Sequence, residues 1–212
     1  MRRLVALSCL FGASAFAIIV DRIAVIVDKD LVKDSDIERT IRITSFLNRE
    51  EPRFDAATRK ATAQRLIDQA LIRQQIRSGD YPVASEQEAA NLLASTKHER
   101  YADTAQYQAT LARYGITNPE VKEALLWQLT VLRFIDQRFR PAAVVTDQQI
   151  EDYYKAHLAE LEAAHPQQHS LDDLRPAIED TLAGEQVNKL FEDWLKDARN
   201  EVHVDYREAE LR

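Results

Sequence analysis

The sequence predicts a mostly α-helical protein with a small antiparallel sheet, built from an N-terminal hairpin and a C-terminal strand. Three observations predict it. The chain has only four glycines in 212 residues and 30% charged residues, a composition suited to helices with few tight turns. Helix-start signals recur along its length. The two segments that alternate or cluster β-branched residues lie near its opposite ends.

The first element is the run Ile23 to Val27, β-branched and apolar except for Ala24. Asp28-Lys29-Asp30 reads as a turn, and Leu31-Val32 resumes an extended run. Ser35-Asp36-Ile37-Glu38 then has the form of a capping box, in which the Ser35 hydroxyl accepts from the Glu38 amide and the Glu38 carboxylate reaches back. The helix it opens carries Ile37, Ile41 and Phe46 or Leu47.

Residues 58–77 carry Leu66, Ile67, Ala70 and Leu71 and stop at Gly79, with Arg73 and Arg77 in the last turns. Ser85 to Glu88 forms a second capping box before Leu92 and Leu93. Asp103 caps a helix with Tyr107, Leu111 and Tyr114, ended by Gly115. Asn118-Pro119 supplies a cap and an N-terminal proline for the longest expected helix, which ends before Pro141. Thr146 opens a helix carrying Ile150, Tyr154, Leu158 and Leu161. After the polar connector "AHPQQHS", a last helix runs to about Asn200. Pro176 is expected to set its first turn apart. Its apolar face shifts phase at Gly184, so it either bends there or meets different neighbours before and after. The face from Val187 to Ala198, with Trp194 at its centre, is expected to pack on the N-terminal module. Val202, Val204 and Tyr206 alternate with polar residues, a strand signal. A lone hairpin is marginal in water, so this strand is expected to pair with it.

The N-terminus reads as a secretory signal over residues 1–17. Arg2 and Arg3 precede an apolar run, and Ala15-Phe16-Ala17 supplies a small-x-small cleavage site. An uncleaved anchor is the rival reading. Cys9 lies inside the run rather than after it, which argues against lipidation. Cleavage removes the single cysteine and takes the net charge from −7 to −9, so the exported chain has no disulfide and is poorly suited to nucleic acid.

Taken in order, "VDRIAVIVDKDLVKDSDIER", "LIDQALIRQQI", "VLRFIDQRFRPAAVVTDQQIEDYYKAH" and "LDDLRPAIEDTLAGEQVNKLFEDWLKDAR" resemble SurA-type periplasmic chaperones over nearly the whole exported chain. The resemblance implies a helical chaperone module over residues 18–163, with a C-terminal helix and strand over 164–212 packing back on it. It implies a holdase for unfolded, aromatic-rich outer-membrane proteins in the periplasm, working without nucleotide, and a possible homodimer. Parvulin prolyl-isomerase domains are inserted before the C-terminal helix in that family. Here only 16 residues separate Tyr154 from Leu171, against on the order of 50 for an independent domain. A chaperone core without isomerase activity is therefore expected.

The sequence carries no phosphate-binding glycine motif, nucleophile elbow or zinc-protease motif, so no catalytic residues, cofactor or metal are expected. His157, His165 and His169 are read as solvated connector histidines, because Pro166 interrupts the helix that would aim two rings at one ion. The acidic pairs Glu50-Glu51 and Glu192-Asp193 are read as loop and helix-surface residues.

The helix from Pro119 is the sharpest local feature. Val121, Leu125, Leu129, Leu132, Ile135 and Phe139 form one apolar stripe; Trp127, Val131 and Phe134 form a second, with Arg138 at its end. A helix apolar on two sides is either sandwiched in its own protein or left with a partly open groove. In the second case Trp127, Val131, Phe134 and Arg138 would meet the client. Two readings from other classes stand beside the holdase: an adaptor that binds one folded partner, and an isomerase-type foldase.

Overall fold

The structure is a computed structural model that describes residues 21–164 and 170–211. The signal segment and the histidines at 165 and 169 lie outside the described residues. β1 (Ile23–Val27) and β2 (Asp30–Lys33) form the expected hairpin, with Val27 opposite Asp30 and Val25 opposite Val32. Asp28 takes a left-handed φ of 51°, a conformation Asp tolerates in tight turns. The register shifts between Ile23 and Val25, and this bulge lets the adjacent Ala24 and Val25 both be buried. β3 (Val204–Tyr206) pairs antiparallel with the other edge of β1, giving the order β2-β1-β3.

α1 (Asp34–Asn48) starts one residue before Ser35, so Ser35 is not its cap. The Ser35 amide and hydroxyl instead donate to the Asp21 carboxylate, at 3.3 and 2.5 Å. Glu38 faces Arg42 at 3.7 Å rather than reaching back to Ser35. Asp21, upstream of the hairpin, thus brings a negative charge to the N-terminal end of the helix dipole, and the local capping motif is bypassed. Of the two candidates at the end of α1, Phe46 is the buried one.

α2 (Ala56–Ser78) is capped by Asp55, whose carboxylate accepts from the Thr58 amide at 2.9 Å. α3 (Glu86–Arg100) opens on the Ser85–Glu88 capping box, and α4 (Thr104–Tyr114) opens on Asp103. Gly115 ends α4 at φ 65°, where a Cβ would be strained. The cap of α5 (Asn118–Phe139) is Thr117, paired reciprocally with Glu120, and not Asn118. Asn118 accepts a hydrogen bond from the Tyr107 hydroxyl instead, at 2.9 Å. A 3-10 turn at Arg140–Ala142 holds Pro141.

α6 (Asp147–Ala164) kinks at His157, which lies on the Tyr153 ring at 4.1 Å, and Leu158 is left exposed beyond the kink. α7 (Leu171–Glu201), not α5, is the longest helix, because it continues through both Pro176 and Gly184. Pro176 sits in its second turn without separating the first.

Three apolar clusters result. The largest joins the sheet, α2, the end of α5 and the second half of α7. A second joins α1, α3, α4 and the start of α5 around Phe46, Tyr107 and Tyr114. The third joins α6 to the first half of α7 through Ile150, Leu174 and Ile178. The phase shift at Gly184 is therefore a change of neighbours along one continuous helix.

Ion pairs tie the C-terminal segment down. Arg199 of α7 grips Asp68 of α2 with two hydrogen bonds, at 2.6 and 2.7 Å. Arg59 of α2 bridges Asp34 of α1, at 2.5 Å, and Glu208 after β3, at 3.3 Å. Burial opposes ionisation of Asp34, but Arg59 outweighs it and holds the carboxyl below its ordinary value.

Two predictions follow from these details. An ideal Cβ at Gly184 meets no atom within 4 Å, so Gly184→Ala should stabilise the protein by about 0.5–1 kcal/mol in urea unfolding. The second concerns acid. Glu88, bonded by the Ser85 amide and hydroxyl and by Arg133, is lowered from 4.5 to about 2. A depressed carboxylate favours the folded chain above its unfolded-state value and loses that contribution as pH falls through its folded value. Melting temperature should therefore decline from about pH 5 to pH 2, and Glu88→Gln should shallow that decline.

Candidate functional site

A cleft of about 530 Å³ opens to solvent between α1, α2, the start of α5 and β2. Its floor is apolar, formed by Ile43 and Leu47 of α1, Leu66 and Ala70 of α2, and Ala124 of α5. Each of these residues belongs to a helix whose more deeply buried face packs on its neighbours; here the edges of three such faces meet without a fourth helix above them.

Charged residues line the rim. On the α2 side Arg65, Gln69 and Arg73 repeat every four residues, so they line one wall over roughly 12 Å. On the opposite side Arg39 lies 3.2 Å from Glu120 and 3.6 Å from Asp36, closing that end with an ion-pair network. The hydroxyl of Thr117 and then Arg39 hold Glu120 below its ordinary value, against a burial penalty. Arg65 donates to the Thr44 hydroxyl at 3.4 Å.

Trp127 stands at the far end of the cleft. It is half-buried, and the Arg73 guanidinium lies over its ring at 4.5 Å from the centroid, a cation–π pair. Beyond Trp127 a second, smaller cleft of about 340 Å³ lies between α2, α5 and the segment before α3. Ile76, Val83, Ala84, Leu126 and Thr130 line it, and Val83 is 60% exposed there. Arg73, Glu123 and Trp127 line both clefts, so the two adjoin across Trp127.

The four residues expected to meet a client therefore separate. Trp127 lies in the cleft wall. Phe134 does not: it is 0% exposed, edge-on to Tyr81, Trp194 and Phe139 with ring centroids 5.0, 5.5 and 5.9 Å away. This is a correction, and its cause is the docking of α7, whose Trp194 covers the face of α5 that carries Phe134. Val131 packs half-buried against the same cluster. Arg138 belongs to it too, lying 5.4 Å from the centre of the Trp194 ring and donating to the Tyr81 hydroxyl at 3.0 Å. The other stripe of α5 is also divided: Val121, Leu125 and Phe139 are buried, while Leu132 is exposed.

The sequence marked Arg73 only as a charge near a helix end, and did not single out Glu123 or the apolar group around Val83. Nothing in their spacing marks them, because they come from α2, α5 and a loop that only the tertiary fold brings together. Among the described residues, no group of three or more His, Cys, Asp or Glu is placed to hold a metal ion, and no helix is long and apolar enough to cross a membrane. His157 uses Nδ1 at 3.0 Å from the Tyr153 carbonyl oxygen. No family model matches the chain, and no curated protein matches it.

The separation of Phe134 from Trp127 is measurable. Phe134→Ala should cost about 3–5 kcal/mol in urea unfolding, the range for a fully buried aromatic. Trp127→Ala should cost about 1–2 kcal/mol, since only part of its surface is removed from water.

Proposed function

We propose that this chain is an ATP-independent holdase of the periplasm, a SurA-type chaperone core that binds unfolded outer-membrane proteins without catalytic turnover. The observation that carries this reading is the open cleft ending at Trp127. Its apolar floor offers burial to hydrophobic segments, and its charged rims offer hydrogen bonds to an extended backbone and its polar side chains. The apolar surface left open there is Leu31, 51% exposed, with Leu47, Ala124 and Trp127 half-buried, and apolar surface rimmed by polar groups marks binding sites rather than ordinary protein surface. The resemblance of four ordered segments to SurA-type chaperones supplies the class of client.

The mechanism is mass action. An unfolded barrel protein exposes apolar and aromatic segments that associate with one another, and occupying those segments reversibly lowers the concentration of the aggregating species. Weak, renewable contact suffices, so no nucleotide cycle is required. The short connection between Tyr154 and Leu171 leaves no room for an isomerase domain, so the activity is binding alone.

The test is dilution of a urea-unfolded outer-membrane β-barrel protein into buffer with the purified chain, starting at Ile18, followed by light scattering. Suppression should saturate near stoichiometric ratios, and Trp127→Ala should raise the concentration needed several-fold. Unchanged aggregation at every ratio would overturn the reading and move the chain to an adaptor for one folded partner.

A further inference from the structure

The smaller cleft differs from the larger one in its charge. Its walls are overwhelmingly apolar, and its charged lining residues are Arg73, Arg77 and Glu123, two cations to one anion. Their engagement is uneven. Arg77 faces Asp30 at 3.7 Å, with both side chains largely exposed, so that pair is weak and screened. Arg73 has no carboxylate within ion-pair distance among the described residues; its hydrogen bond goes to the Gln69 side chain at 3.4 Å. Two of the acids on the larger rim, Asp36 and Glu120, are occupied by Arg39.

Arg73 is also partly dehydrated. The residue as a whole is exposed, but its guanidinium lies against Trp127 and the cleft walls. Crowding lowers its pKa from the ordinary value, against the pull of Glu123 and Asp30, and the group remains charged at neutral pH. A guanidinium that has lost hydration without gaining a carboxylate gains most from a carboxylate supplied by a ligand.

Resting on the reading of the larger cleft as a peptide site, we infer that the smaller one is a side-chain subsite with a defined preference. It takes an aromatic residue of an extended chain into the apolar space between Trp127, Val83 and Leu126, with an acidic residue two positions away, on the same face of that chain, meeting Arg73. At about 340 Å³ the space lies at the small end of the range for ligand pockets, in keeping with one side chain rather than a folded element. Trp127 supplies an aromatic neighbour for the ring. Glu123 acts against the same carboxylate and sets how strong the preference is. The sequence selected therefore has an aromatic and an acidic residue two positions apart, and a basic residue at that spacing is disfavoured by Arg73.

The test uses fluorescein-labelled ten-residue peptides with one alanine between the two varied residues, Phe-Ala-Glu (Phe-Glu) against Phe-Ala-Lys (Phe-Lys), with an Ala-Ala-Glu control (Ala-Glu), titrated with the exported chain and read by anisotropy. Phe-Glu should bind about 2- to 5-fold more tightly than Phe-Lys at low salt, the range for a partly exposed ion pair. The difference should shrink as salt is raised. Ala-Glu should lose on the order of tenfold from the missing ring. Arg73→Gln should erase the Glu-over-Lys preference, and Glu123→Gln should enlarge it. Melting curves of each variant separate loss of fold from loss of preference, and Glu123→Gln supplies a gain that unfolding cannot mimic. Equal affinity for Phe-Glu and Phe-Lys, a preference for Lys, a preference that survives Arg73→Gln, or no binding of any peptide would overturn the inference. Light scattering run alongside distinguishes the two claims: suppressed aggregation with no peptide preference removes only this subsite, whereas unsuppressed aggregation removes the holdase reading beneath it.

Discussion

β1 has a hydrogen-bonded neighbour on each side, and the arrangement of the chain depends on it. A two-stranded hairpin holds together poorly in water, because one edge of its backbone stays unpaired and one face has too little to pack on. β3 removes both problems. It satisfies the free edge of β1, as Arg207 donates to the Ala24 carbonyl at 2.9 Å and Asp28 donates to the His203 carbonyl at 3.1 Å. It also brings the end of α7 against α2. Residues some 180 positions apart must therefore meet before the sheet is complete, and long-range pairing of this kind carries a loop-closure cost. The Arg199–Asp68 and Arg59–Asp34–Glu208 contacts lie on either side of β3 in the sequence, where they hold the returning strand in register.

The return of α7 decides what α5 presents to solvent. Phe134, Phe139, Phe191, Trp194 and Tyr81 form one aromatic cluster in which neighbouring rings meet edge-on, tilted or stacked, with Arg138 lying against three of them. Such clusters combine large buried area with favourable quadrupole contacts. Its formation consumes the face of α5 that carries Phe134 and Arg138. Trp127, two turns earlier, lies beyond the reach of α7 and is left at the junction of the two clefts. The same docking event thus builds the core and delimits the clefts.

The larger cleft is shaped by absence of cover rather than by loops. Helices α1, α2 and α5 each direct their most apolar faces into one of the clusters, and Leu47, Ala124 and Trp127 at the margins of those faces stay half-buried. An apolar floor between charged walls has the two-sided polarity of a strand surface, apolar on alternate residues and polar between them.

The sequence by itself determined the elements and most of their ends. Strands at Ile23–Val27 and Val204–Tyr206, caps at Ser85 and Asp103, and the stop at Gly115 are local matters, settled within a few residues by hydrogen-bonding geometry and backbone sterics. The phase shift at Gly184 was legible for the same reason, because helical period is a local property. Where a distant group competed, local reading failed: Asp21 took the Ser35 donors, and Tyr107 took Asn118 from its capping role. The site was less legible. Two apolar stripes on α5 were visible, but periodicity gives the angle between faces and not which neighbour covers each one. Only the tertiary structure decided that Phe134 is buried under Trp194 while Trp127 is not, and only it brought Arg73, Glu123 and Val83 around the same space. Those residues share no sequence period; their proximity comes from the packing of separate helices, which is fixed by the sum of all the faces together.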